Sequence, residues 1–171
     1  MRKFIYNSLV NRLKQVSDAN GEPIIKSFDI WNNNIQNLSI GQAFELPAVF
    51  IEFAPFNWSH QGGGVRDTIA TIRLHVLQQV NAPSLDKRGY TGHSLTRFDL
   101  LTGINVALHG YSRSTDYFGF GALTSTLSTT DNDYGEVVTD IEEYQCRCND
   151  SSMLSLEQES AVWQPSITIK K

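Results

Sequence analysis

Residue type alone opens three kinds of chemistry to this chain. Its four histidines and eighteen carboxylates could do acid–base work, Cys146 and Cys148 could do thiol or metal chemistry, and Gly62-Gly63-Gly64 could cradle a phosphate. Each also needs a spacing. The glycine triplet is followed by a strand-like run rather than the helix whose free N–H groups hold a phosphate, so it reads as a hairpin tip. The chain has no glycine loop ending in Lys-Ser or Lys-Thr, no His-Glu-x-x-His and no Gly-x-Ser-x-Gly. An enzyme would need a nonlocal site, for which Asp67, His75 and Asp99 are the candidates. Cys146 and Cys148 stand two apart on a strand-like run, where side chains share a face without easily reaching disulfide geometry. They are expected as reduced, partly buried thiols. His60, His75, His93 and His109 are scattered singly, and neither a metal nor a cofactor is expected.

Charge concentrates in one region. Asp131, Asp133, Glu136, Asp140, Glu142 and Glu143 occur in a stretch with no Lys or Arg between Arg113 and Arg147. The glycine of Asp131-Asn132-Asp133-Tyr134-Gly135-Glu136 falls one place early for a calcium loop, and the flanks look like strands, so a β-turn is the reading. The six carboxylates are expected to form an acidic surface. Aromatics gather in two places. Phe56 and Trp58, with His60, lie between two β-rich runs, where they either tuck onto the core or face a partner. Tyr111, Tyr117, Phe118 and Phe120 form a second group, expected as packed loop or core, though able to stack on a ligand.

These residues must be positioned by one domain. The chain has 171 residues, 40% of them hydrophobic and 19% charged, which supports a single domain over 1–171 with a core of its own. The formal charge of −4 and the lack of a basic run argue against direct nucleic-acid binding. No apolar run is long enough for a membrane span, and the start lacks a signal core, so the expected place of synthesis is a cytoplasm.

Leu46 to Val80 is the organising stretch: an apolar run to Phe53, the aromatic connection, the glycines, then a run from Val65 in which Ala70, Ile72, Leu74 and Val76 alternate with Ile69, Thr71, Arg73 and His75. That is a long hairpin whose second arm is a half-buried antiparallel strand. Sixteen residues would extend about 50 Å, so the hairpin either bends or projects and offers its backbone to a neighbour.

Around it, residues 2–17 carry Ile5, Leu9, Leu13 and Val16 at helical spacing, and 94–108 carry Leu95, Phe98, Leu101, Ile104 and Leu108. Ser94 suits an N-cap and Gly110 a left-handed C-cap, while Gly103 suggests close packing on the sheet. Strands are expected over 24–31, 123–130 and 137–148, loops over 35–45 and 81–93, and a β-like tail over 160–171. The order gives an α+β fold: a mainly antiparallel twisted sheet with a long β-hairpin and two helices packed on one face.

This set of elements resembles a known family. A leading helix, the Leu-Pro-Ala-Val-Phe-Ile-Glu strand, an aromatic and glycine-rich hairpin, the Ile-Arg-Leu-His-Val strand, a helix closing in Leu108-His109-Gly110 and a late Tyr144-Gln145-Cys146-Arg147 strand resemble the tail terminator, or tail completion, proteins of tailed bacteriophages. The resemblance covers about residues 1–150. It implies a virion structural protein without catalytic activity, assembled in the bacterial cytoplasm. Six copies would form a ring that caps the tail tube and joins it to the head-completion and neck proteins, with DNA passing through the lumen. The hairpin positions it carries over are Phe56, Trp58, His60 and Arg66, as contacts within the ring or to a neighbour. Another head–tail adaptor would carry the same elements. A small-ligand or carbohydrate-binding module using the aromatic loops is the reading from a different class.

Overall fold

The computed structural model describes residues 1–32, 44–79, 93–134 and 137–154, with backbone alone at 93–96 and 132–134. The loop at 35–43, the connection at 81–92, Gly135-Glu136 and the tail at 160–171 lie outside the described residues.

Helix α1, Arg2–Leu13, forms because Ile5, Leu9 and Leu13 recur every fourth residue and all are buried, while Lys3, Asn7 and Asn11 stay exposed. The turn after it is held by Asp18, whose Oδ1 accepts the N–H groups of Asn20 and Glu22 at 2.8 and 2.9 Å. Those bonds hold the Asp18 carboxyl below its usual range.

Helix α2, His93–Leu108, buries Leu100, Ile104 and Leu108, a row at four-residue spacing. The stripe expected through Phe98 is rotated, since Phe98 is 46% exposed. The helix ends as expected at Gly110, whose φ of +79° favours glycine. Gly103 permits a close approach, but to the chain after α1 rather than to the sheet: a Cβ there would stand 3.0 Å from Val16 Cγ1.

The strands are β1 (Ser27–Ile30), β2 (Ala48–Phe53), β3 (Ser59–Gly62), β4 (Val65–Gln79), β5 (Arg113–Ser114), β6 (Phe118–Phe120), β7 (Thr124–Tyr134) and β8 (Val137–Asp150). They make one sheet in the order β1-β2-β4-β8-β6-β5, with β3 added beside β4 and β7 beside β8. All pairings are antiparallel except the parallel β1–β2 pair. The fold is therefore the α+β arrangement read from the sequence.

Strands β4 and β8 form its spine, paired from Arg66↔Asp150 to Gln79↔Val137. Since β2 and β3 hold the other side of β4, the backbone of the hairpin's second arm is taken up inside the sheet. Alternation sets the two faces. Val49, Ile51, Ala70, Ile72, Leu74, Val76, Tyr144, Cys146 and Cys148 join the two helices in the main core. The other face carries Ile69, Thr71, Arg73, Glu143, Gln145 and Arg147. Toward β1 it has a small second cluster, in which Ala48, Phe50 and Leu77 pack with Trp31, Phe44 and Leu46.

Candidate interaction surfaces

The hairpin residues singled out in the sequence come together on the helix side. Phe53, Phe56 and Trp58 step along the connection from β2 to β3 as edge-to-face pairs, with centroids 6.1 and 5.7 Å apart. A guanidinium covers each end. Arg2 of α1 lies 4.9 Å from the Phe56 ring centre and Arg66 lies 4.4 Å from that of Trp58.

Arg66 also pairs with Asp150 at 2.9 Å. Burial alone would raise the Asp150 carboxyl, but hydrogen bonds from Ser152 and Arg66 outweigh it and hold the pKa below the usual range. His60 sits opposite Arg66 in the register, on β3, whose four residues are all exposed. The Phe56–Trp58–Arg66 group is thus a packed platform, and β3 beside it pairs with β4 alone among the described strands.

The acidic residues do not form one surface. Asp140 and Glu142 lie on the helix side of β8, 1% and 2% exposed, because their parity matches Tyr144 and Cys146 rather than Glu143. Thr130 donates to Asp140 at 2.6 Å and Ser128 donates to Glu142 at 2.5 Å, both hydroxyls coming from β7. Burial, only partly offset by the Ser128 bond, pushes the Glu142 pKa up. Glu143 faces the other way and pairs with Arg73 at 3.0 Å. Asp131 is half-buried in β7, the side chain of Asp133 lies outside the described residues, and so does all of Glu136. Residues 124–134 form a strand where a turn was expected to begin at Asp131.

The open face holds an unanticipated constellation. The ring of Trp31 lies parallel to that of His75, 3.8 Å between centres and 2° between planes, and His75 Nε2 is 2.9 Å from Glu52 Oε2. Arg73 bridges Glu52 and Glu143. Desolvation lowers the His75 pKa despite the Glu52 contact. Parity predicted that Arg73 and His75 share a face; Trp31 and Glu52 join them only through the β1–β2–β4 register, which no local signal reveals.

Asp67, His75 and Asp99 do not converge. Asp67 accepts bonds from Gln61 and Arg147, His75 is capped by Trp31, and Asp99 is exposed on α2. The two thiols face the core, Sγ to Sγ 3.7 Å, and neither is in a disulfide. Of the second aromatic group, Phe120 and Tyr111 pack in or against the core, whereas Tyr117 is exposed.

A two-layer α+β domain in which, among the described residues, the helices cover one face of the sheet is the class these observations define. A chain from the virion of a native gene transfer agent (GTA) particle shares the fold, with a TM-score of 0.51 and 11% identity over 82% of this chain and 91% of that one. No protein-family model and no curated protein matches the sequence.

Proposed function

We propose that this chain is a structural protein of a phage-like virion, forming a hexameric ring that terminates the tail tube and joins it to the head–neck assembly. The observation that carries this reading is the likeness of nearly the whole fold to a chain of the GTA virion. The resemblance of residues 1–150 to tail terminators supports the finer role. In this reading the hairpin platform of Phe56, Trp58 and Arg66, with His60 on β3 beside it, meets a neighbouring copy or the adjoining virion proteins. The tail tube protein lies on one side of the ring and the head-completion proteins on the other. DNA crosses the lumen without being gripped, in keeping with the net charge of −4. The role is assembly, with no catalytic step and no cofactor.

Native mass by light scattering across a range of concentrations tests this. A mass approaching six times 19.2 kDa, lost when Gly62–Gly64 is shortened, is expected. A chain that stays at one protomer at every concentration, and does not join purified tail tubes, overturns it.

A further inference from the structure

Among the described residues, helices cover the sheet on one face only, and the other face exposes apolar side chains that a free monomer gains nothing by showing. Ile69, toward the N-terminal end of β4, is 68% exposed, and Leu127 on β7 is 48% exposed on the same face, opposite Glu143. On the far side of the molecule the outer row of α2 shows Phe98 and Val106, the latter 77% exposed.

Charge divides in the same sense. The open sheet face carries Glu52, Asp67, Asp131 and Glu143 against Arg73 and Arg147. The helical layer carries Arg2, Lys3, Arg12 and Lys14 with no carboxylate anywhere in residues 1–17, and on α2 it sets Arg97 against Asp99.

We infer that the open sheet face receives the helical layer of a second copy of this chain. The neighbour's α2 row would set Phe98 and Val106 on Ile69 and Leu127, and its basic α1 would lie toward the acidic side of the sheet. Each copy offers two different surfaces, so the contact is head-to-tail, and head-to-tail contacts close into a ring when the rotation permits. A standard interface buries about 800 Å² per partner, so the contact would have to extend beyond Ile69 and Leu127 to the polar side chains around them. The inference deepens the ring reading and rests on it, since it adds to the hairpin a second pair of surfaces through which the ring would close.

The test uses the full chain with cysteines placed at Ile69 and Val106, singly and together, under mild oxidation. The double variant is expected to give a ladder of covalent species rising past the dimer, while each single variant, whose cysteine meets no cysteine across a head-to-tail contact, stays at one protomer. In parallel, Ile69→Lys and Val106→Glu, both exposed enough to leave the fold intact by circular dichroism, are each expected to shift the native mass to one protomer. If the wild type assembles but the double variant gives no ladder and neither charge variant dissociates, the face-to-back contact is wrong while the ring reading stands. A ladder that never closes at six keeps the contact and removes the hexamer. A wild type that stays monomeric at all concentrations overturns the contact itself.

Discussion

Two ion pairs of near-identical length illustrate how burial decides what a contact contributes. Arg66–Asp150 spans 2.9 Å and Arg147–Asp67 spans 2.8 Å, but Asp150 is 2% exposed and Arg147 is 75% exposed. Removing the guanidinium above a buried carboxylate leaves it underpaired, so Arg66→Ala is expected to cost about 1–3 kcal/mol. Arg147→Ala should cost under about 1 kcal/mol. Urea midpoints of the two variants check the order. His75 makes a pH prediction. Its folded pKa lies below the ordinary value, so the unfolded chain binds the proton more readily and stability falls as pH drops through the ordinary histidine range toward the folded value. Melting temperature is expected to decline over that window in the wild type, and less steeply in His75→Gln. The partners behind this behaviour were only half legible: parity put Arg73 and His75 together, but Trp31 stands just past the end of β1, more than 40 residues upstream.

At the scale of elements, what could be read depended on regular repetition. Strand β4 announced itself through four alternating apolar residues, and α1 through Ile5, Leu9 and Leu13. Strand β6 has three residues, one of them glycine, and is a strand because β8 and β5 supply its partners on either side. Asp140 and Glu142 were hidden for the same reason: an acidic run looks solvated until the pleat assigns alternate members to the core. The hairpin tip gives a prediction of its own. Gly63 and Gly64 both have positive φ, +56° and +76°, but a Cβ on Gly63 meets open space whereas one on Gly64 stands 3.1 Å from Met153 Cβ in the short 3-10 turn Ser152–Leu154. Gly63→Ala should cost about 1–2 kcal/mol from backbone strain alone, and Gly64→Ala about 1–3 kcal/mol more from crowding. Chemical denaturation separates them, and a smaller loss at Gly64 would refute the crowding argument.

The whole molecule is built about a pairing that joins distant parts of the chain: Arg66 bonds with Asp150, 84 positions later. On the ribosome this imposes an order of events. Strand β4 is synthesised with β2 to shelter one edge, while its other edge and the core-facing side chains Ile72, Leu74 and Val76 wait for β8 to leave the exit tunnel. A chain ended at residue 136 should accordingly be made but accumulate as insoluble aggregate, while one ended at residue 154, which includes all of β8, should be soluble; equal solubility of the two would count against the spine as the folding-limiting element. Under the virion role proposed above, this delay would link supply to completeness: a chain broken off early has no finished sheet, and without one it has no surface to offer a growing particle.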